Sequence, residues 1–472
     1  MSIEIEHVSS SKFPWKLAST VYGLAFAPQL LNAKFLYWDD WLLINPLTGK
    51  IRADYFGGSG RAPWTEYLES TIFNSSPTVF RLATLLAFFA SGCFLFHILS
   101  RSKALTQNQV IVATLIFLVV PVNSARIALI TNTYSTSFFL FFLGWFLLSF
   151  KNRIVFQLLG FVSFFLSYTT IGVVTFTVLP VLYLLFVGKP RNVVDVLKKC
   201  KVAVFLAALP VLYMVMRQLF WPPSSGYANM YSPQTLGLIR GLLFVAVCSS
   251  PAISGLFVAK WRRTDSNYFL MVFGLIAISV GAFPYMVGGH LVDISDWLIA
   301  FIPNFSDWNS RHQLLLPLGI SLIVCSSLKI DSDEPFNWKL SPVFSTMIAF
   351  CIVLNITFAQ EYFLDGKKQD SIMEAMANNE DLRNSTSILI DDSAVRFNAR
   401  GRSIRSYEWE AMLEKVFGDD SRKVSYLQYV NCAEFQPDAI LHISAPNGRL
   451  ESTLRRNAVI DISVEVIKPC DN

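Results

Sequence analysis

Long apolar runs separated by short polar connections fill the first three quarters of the chain. Each run approaches the roughly 20 residues that a helix needs to cross a bilayer. The runs lie at 16–36, 78–99, 108–128, 132–150, 154–170, 171–187, 202–221, 237–259, 268–288, 312–328 and 341–360. They predict a polytopic α-helical membrane protein with about eleven transmembrane helices. Near Thr169 and around residues 121–133 the pattern also fits a broken or re-entrant helix.

The pattern becomes polar and alternating after residue 360. Runs typical of strands lie at 387–390, 424–429, 439–444 and 459–467, and an amphipathic run at 407–417 is followed by Gly418. We therefore predict a small α/β domain over 361–472, after a transmembrane domain over 1–360. The segment carries no nucleophile elbow, phosphate-binding loop or metal motif, which favours an accessory or docking role for it.

Basic residues fall in alternate loops, and this predicts the topology. The basic loops contain Lys12 and Lys16, Arg101 and Lys103, Lys151 and Arg153, the stretch from Lys189 to Lys201, Lys260, Arg262 and Arg263, and Lys329 and Lys339. Lys and Arg concentrate in cytoplasmic loops. The N-terminus is therefore expected in the cytoplasm, and an odd number of spans places 361–472 outside the inner (plasma) membrane.

Composition supports lipid as the solvent and excludes some partners. Hydrophobic residues make up 53% of the chain and charged residues only 15%, with a mean hydropathy of +0.45. The net charge of +5 forms no basic stripe, so nucleic-acid binding is not expected. The seven cysteines include no C-x-x-C pair, so no zinc site is expected. Cys432 and Cys470 share the oxidising side, where a disulfide is compatible with the sequence.

Two adjacent carboxylates stand at the start of the first long outward loop, residues 37–77. Asp39 and Asp40 lie between Tyr37, Trp38 and Trp41, directly after the first apolar run. Charges at membrane depth are costly and mark function, and such a carboxylate can act as a general base on a hydroxyl. The alternative is an interfacial aromatic belt with two solvated acids. A bound divalent cation is not expected, because it needs six or more oxygen ligands.

The second outward loop, residues 288–311, is also acidic and aromatic, and a basic residue ends it. Arg311 can clamp a phosphate bidentately; alternatively it is an interfacial anchor or a partner for Asp307. His290 and His312 lack the spacing of metal ligands. Arg126 is a further cation expected near the outer face.

Three short motifs, in this order along the chain, resemble the GT-C superfamily of membrane glycosyltransferases. The first is Asp39-Asp40 after the first helix, and the second is Pro-Thr-Val-Phe-Arg at 77–81. The third is Ser-Arg-His at 310–312, followed by Leu-Leu-Leu-Pro and Gly319. The resemblance implies a GT-C-like transmembrane fold, a C-terminal extracytoplasmic domain and a polyprenyl-phosphate sugar donor of the undecaprenyl type.

The resemblance implies a mechanism in which Asp39 or Asp40 is the catalytic base for an inverting transfer. The acceptor would be O-antigen, another cell-envelope glycan such as lipopolysaccharide, or a lipid, and no cofactor is required. The residues expected to bind substrate are Arg311, His312, Arg126, Arg81, Trp38, Trp41 and His290. Membrane lipids are the other expected partners. Two alternatives remain: a flippase or transporter of a lipid-linked glycan, and a non-catalytic envelope assembly protein.

Overall fold

The computed structural model describes most of the apolar spans and much of the C-terminal segment. The described residues are 13–44, 60, 62–67, 76–102, 105–150, 154–186, 193–224, 235, 237–239, 242–243, 266–288, 311, 313–328, 342–419, 421–426, 437–444 and 463–467. The predicted disulfide partners Cys432 and Cys470 lie outside them, as do His290 and His312.

Within these residues the chain is mainly helical. The α-helices are α1 (Trp15–Phe26), α2 (Asp40–Ile44), α3 (Pro63–Tyr67), α4 (Pro77–Ser100), α5 (Gln107–Val119), α6 (Asn132–Leu148), α7 (Ile154–Ser167), α8 (Gly172–Phe176), α9 (Val178–Phe186), α10 (Val193–Phe220), α11 (Ser266–Val287), α12 (Leu316–Ser327), α13 (Pro342–Ala377), α14 (Glu380–Asn384) and α15 (Ser406–Phe417). The strands are β1 (Ser387–Asp392), β2 (Lys423–Tyr426), β3 (Ala439–Ser444) and β4 (Ser463–Ile467).

Several described helices have the length and hydropathy of membrane spans. Four are long and apolar enough to cross a membrane: Pro77–Ser100, Cys200–Phe220, Tyr268–Val287 and Pro342–Ala377. Shorter apolar helices follow Gln107–Val119, Ile154–Ser167, Gly172–Leu184 and Leu316–Ser327. The fold is thus mostly helical with apolar helices of membrane length, and the count of eleven spans stays a prediction.

The α-helices of the first and third predicted spans end earlier in the structure than the sequence predicts. The α-helix of the first span stops at Phe26 and continues as a 3₁₀ helix, Ala27–Asn32. Pro28 explains the change, because proline has no N–H to donate within an α-helix. The third span ends at Val119, and 3₁₀ turns at Ser124–Ile127 and Leu129–Thr131 precede α6, so this helix is broken.

The last predicted span, 341–360, is part of a longer helix. Helix α13 continues to Ala377, well past the end of the apolar run. Its polar extension contains Asp365 and Lys368, whose side chains are both buried and ion-paired. The partners that allow these charges to be buried come from the C-terminal segment, so the apolar pattern alone could not place the helix end.

The chain divides into two compact units, which are described separately. The helical unit consists of Met1–Ala27, Ala83–Ser124 and Thr133–Asn355, and the mixed unit consists of Pro28–Leu82, Ala125–Asn132 and Ile356–Asn472. In the mixed unit, the described residues of the first outward loop and of the C-terminal segment therefore belong to one body.

Helices of the helical unit approach closely at glycines. A Cβ on Gly319 of α12 would lie 2.7 Å from the carbonyl oxygen of Gly274 on α11. A Cβ on Gly144 of α6 would lie 2.9 Å from the carbonyl oxygen of Gly160 on α7. Small residues permit such contacts between membrane helices, where dispersion rather than the hydrophobic effect favours association.

The mixed unit contains a four-stranded sheet with the order β2-β1-β3-β4. Strand β1 pairs in parallel with β2 and β3, and β4 pairs antiparallel to β3. Helix α15 follows β1 in the chain and buries Trp409, Met412 and Leu413. It ends at Phe417 and is capped by Gly418, whose φ of 84° suits glycine, and this confirms the helix stop predicted there.

Candidate active site around Asp39 and Asp40

The chain leaves the 3₁₀ helix and enters a buried turn that carries both carboxylates. Tyr37 and Trp38 are buried, and the Tyr37 hydroxyl donates to the carbonyl oxygen of Tyr362 at 2.7 Å. The Tyr362 ring also lies 5.6 Å from the ring of Trp38. Helix α13 therefore supports the turn from its polar extension, and the aromatic side chains shield the carboxylates from water.

Asp40 is fully buried and ties two chain segments together. Its Oδ2 accepts the N–H of Tyr37, and its Oδ1 accepts the N–H of Ile130, both at 3.1 Å. Burial raises the pKa of Asp40 from 3.8 to about 7, against the lowering effects of Arg81 and of the backbone N–H groups. This carboxylate is therefore a structural link between the first outward loop and the 3₁₀ turn at Leu129–Thr131.

Arg81 lies beside Asp40 but uses its hydrogen-bond donors on backbone carbonyls. Its Nη2 is 3.9 Å from Asp40 Oδ2. The acceptors of the guanidinium are the carbonyl oxygens of Ile127, Asn32, Ala33 and Phe35, at 2.6 to 2.9 Å. The five donors of a guanidinium suit such a cluster, and a charge-assisted bond to each carbonyl holds the turn in place.

Asp39 occupies a more accessible position than Asp40. Its exposed fraction is 9%, against 0% for Asp40. The hydroxyl of Tyr407, the second residue of α15, donates to Asp39 Oδ1 at 2.7 Å. Burial raises the pKa of Tyr407, and the nearby Asp39 and Glu408 raise it further, so the phenol stays protonated and donates.

Trp38, immediately before Asp39, has a strained backbone. Its φ of 51° is the only positive value of a non-glycine residue among the described residues. The carboxylate of Glu408 accepts the Trp38 N–H at 3.0 Å. Arg402 donates to both oxygens of Glu408 at 2.9 Å, and its Nε donates to Asp365 at 2.7 Å. A buried ionic network thus fixes the backbone next to the acidic pair.

Little in the sequence pattern predicts this network. Glu408 stands at the third position of α15 and also accepts the N–H of Arg405, which is the pattern of an ordinary helix cap. Neither Tyr407 nor Arg402 belongs to a recognisable motif. Asp365 is the residue whose position does indicate such a network, because an acidic residue shortly after an apolar span needs a charged partner.

The other predicted residues divide between the two units. Arg126 is buried in the mixed unit. It directly precedes Ile127, whose carbonyl oxygen accepts from Arg81 Nε. Trp41 is buried there, with Lys415 Nζ 5.3 Å from its ring centroid. Arg311 belongs to the helical unit and is half-buried. Among the described residues no group of three His, Cys, Asp or Glu side chains could hold a metal ion.

The chain was compared with known proteins at the levels of sequence and structure. No family model and no curated protein matches it. Among solved structures it is similar to the cryo-EM structure of arabinofuranosyltransferase AftD from mycobacteria, with 13% sequence identity and a TM-score of 0.42. The match covers 88% of this chain and 32% of that one, so the chain spans about a third of the protein it resembles.

Proposed function

We propose that this protein is a membrane glycosyltransferase that transfers a sugar from a polyprenyl-phosphate donor to a cell-envelope glycan or lipid on the extracytoplasmic face. The observation that carries the proposal is the enclosed pair Asp39 and Asp40, placed directly after the first apolar run, with the buried Arg81 3.9 Å from Asp40 Oδ2. Burial of two adjacent carboxylates is costly, and an environment built to keep them there favours a chemical role.

The two carboxylates take different roles in this proposal. Both oxygens of Asp40 accept backbone N–H groups, so Asp40 positions the turn. Asp39, at the more accessible edge, is the general base that removes the proton of the acceptor hydroxyl. The acceptor oxygen then attacks the anomeric carbon, the bond to the phosphate oxygen breaks, and the configuration inverts.

The proposal also assigns the cations. Arg81 holds the acidic turn through four carbonyls, and this role differs from the phosphate contact expected from sequence. Arg126 is the cation in the mixed unit that we assign to the donor phosphate, because it belongs to the segment that supplies the Ile127 carbonyl and the Ile130 N–H. The substrate-binding roles of Arg311, His312 and His290 rest on sequence alone. Trp38 and Trp41 enclose the pair.

The test is mass spectrometry of envelope glycans from a deletion strain of the native host. The strain carries wild type, Asp39→Asn, Asp40→Asn or Arg126→Ala at matched membrane levels. Asp370→Asn is the control, since this carboxylate is half-exposed and forms a salt bridge with the exposed Lys34. We expect wild type and the control to restore one sugar increment. Asp39→Asn should lower the rate of sugar transfer about 10² to 10⁴-fold.

The opposite result leads to the alternative functions. If Asp39→Asn and Asp40→Asn both restore the wild-type glycan, the proposal that this site transfers the sugar is wrong. Accumulation of the complete lipid-linked glycan on the cytoplasmic side of the deletion strain would then favour a flippase. A normal distribution of that lipid would favour a non-catalytic assembly protein.

A further inference from the structure

Two consecutive residues of the C-terminal segment contact two consecutive residues of the acidic turn. The Tyr407 hydroxyl donates to Asp39 Oδ1 at 2.7 Å, and Glu408 Oε2 accepts the Trp38 N–H at 3.0 Å. The segments are 368 residues apart along the chain. Both contacts come from the first turn of α15, so one short stretch of the C-terminal segment reaches the proposed base and the residue before it.

The contact to Trp38 holds a conformation that tryptophan rarely adopts. With a φ of 51°, the chain turns sharply just before Asp39. Strain of this kind persists only where the surroundings determine it, and it concentrates at functional sites. Here Arg402 clamps Glu408 and is itself bound to Asp365 of α13, so the acceptor of the Trp38 N–H is fixed from two sides.

The contact to Asp39 acts on the carboxylate itself. A donor on Oδ1 restricts rotation of the carboxylate about the bond to Cβ, and it therefore decides where the second oxygen lies. The high pKa of the Tyr407 phenol keeps its proton in place, so it remains a donor throughout the range in which enzymes work. A general base displaced by about 1 Å loses roughly 10² in rate.

We propose that Tyr407 is a positioning residue that orients the carboxylate of Asp39 for proton removal from the acceptor. This inference rests on the proposed function, in which Asp39 is the base. It also makes the C-terminal segment a part of the active site, because Tyr407 acts on the reacting carboxylate and Glu408 fixes the backbone that carries it. A segment that served only for docking would need neither contact.

The experiment measures transfer by the full-length protein in membranes of the deletion strain. The donor probe is the polyprenyl-phosphate lipid extract of the native host, and the acceptor probe is envelope glycan purified from the deletion strain. Titration of each probe gives a maximal rate and a half-saturating amount. The proteins compared are wild type, Tyr407→Phe, Asp39→Asn and the control Tyr426→Phe, whose hydroxyl accepts from Trp409 Nε1 in the same segment.

We expect Tyr407→Phe to lower the maximal rate about 10 to 100-fold and to leave both half-saturating amounts within about twofold. Tyr426→Phe should keep the maximal rate, although it also removes a hydroxyl from the segment. Replacement of Tyr407 by 4-aminophenylalanine, which donates from the same place, should restore the rate.

Three results would overturn the inference. They are a wild-type maximal rate in Tyr407→Phe, a loss seen only in the half-saturating amounts, and no rescue by 4-aminophenylalanine. If Tyr407→Phe fails to accumulate, the test is the maximal rate of the protein with 4-aminophenylalanine at position 407. A near-wild-type rate supports the positioning role of Tyr407, and a tenfold lower rate overturns it. A fully active Asp39→Asn would refute the proposed function itself, whereas an inactive Asp39→Asn beside a fully active Tyr407→Phe would refute only the role of Tyr407.

Discussion

Arg81 Nη2 and Asp40 Oδ2 lie 3.9 Å apart in the buried part of the mixed unit, and the hydrogen bonds of both side chains are with backbone groups. The guanidinium donates to four carbonyl oxygens, and the carboxylate accepts two N–H groups. The pair therefore acts as the centre of a folded turn, where Arg81 opposes the rise in the Asp40 pKa that burial causes.

The first prediction concerns Arg81. Arg81→Met leaves four carbonyls without their donor and Asp40 without its neighbouring cation, so we expect a loss of about 3–5 kcal/mol in the free energy of unfolding. Lys34→Met, which breaks an exposed ion pair with Asp370, should cost about 1 kcal/mol or less. Thermal unfolding of the purified proteins in one detergent, at one scan rate, compares them. Equal melting temperatures for the two variants would contradict the role given to Arg81.

The second prediction concerns pH. Burial raises the pKa of Asp40 in the folded protein from 3.8 to about 7, so the folded state binds this proton more tightly than the unfolded chain. The stabilising contribution of the proton is complete below the unfolded pKa of 3.8, and it is lost as pH rises through the folded pKa of about 7. The maximal slope is about 1.4 kcal/mol per pH unit.

Asp40→Asn removes this titration. The difference in melting temperature between wild type and the variant therefore reports the contribution of Asp40 to the pH dependence of stability. As pH rises from about 4 to about 8, the wild type should lose stability relative to Asp40→Asn. A constant difference across this range would show that Asp40 does not titrate there.

The third prediction concerns the glycine contact between α11 and α12. A Cβ on Gly319 would lie 2.5 Å from Ile278 Cγ1 and 2.7 Å from the Gly274 carbonyl oxygen, so Gly319→Ala should cost about 1–3 kcal/mol. Gly23→Ala is the matched control, because among the described residues no atom outside the helix's own backbone lies within 4 Å of a Cβ there. It should stabilise α1 by about 0.5–1 kcal/mol. Opposite shifts in melting temperature are expected. A neutral Gly319→Ala would mean that the helices separate there at little cost.

The fourth prediction concerns Lys368, which is buried on α13 and donates to both oxygens of Asp392 at 2.6 and 2.7 Å. Its other acceptors are the carbonyl oxygen of Ala394 and Oδ1 of Asn398. Lys368→Met alone should cost about 3–5 kcal/mol, because it leaves Asp392 buried without a cation. The double variant Lys368→Met/Asp392→Leu should cost less than the sum of the two single changes. Additive losses in thermal unfolding would show that the two charges do not depend on each other.

Much of the secondary structure follows from sequence pattern. The described strands lie within or overlap the alternating runs 387–390, 424–429, 439–444 and 459–467, and α15 starts one residue before the amphipathic run. The predicted spans that agree with described helices to within four residues at each end are 78–99, 132–150, 154–170, 268–288 and 312–328. Such agreement is expected because propensity, alternation and caps act over one or two turns of chain. The break after Val119 was also visible, since Pro121 follows it.

The candidate site depended on sequence and on tertiary structure in different ways. The sequence determined where the carboxylates lie, because two acids after an apolar span can be read from residue type and order alone. Only the tertiary structure decided which carboxylate is buried and that Arg81 faces backbone carbonyls. It also decided that Tyr407 and Glu408 reach the acidic turn. These contacts join residues hundreds of positions apart, and their partners are set by the packing of α13 and α15 against the turn, which no local pattern encodes.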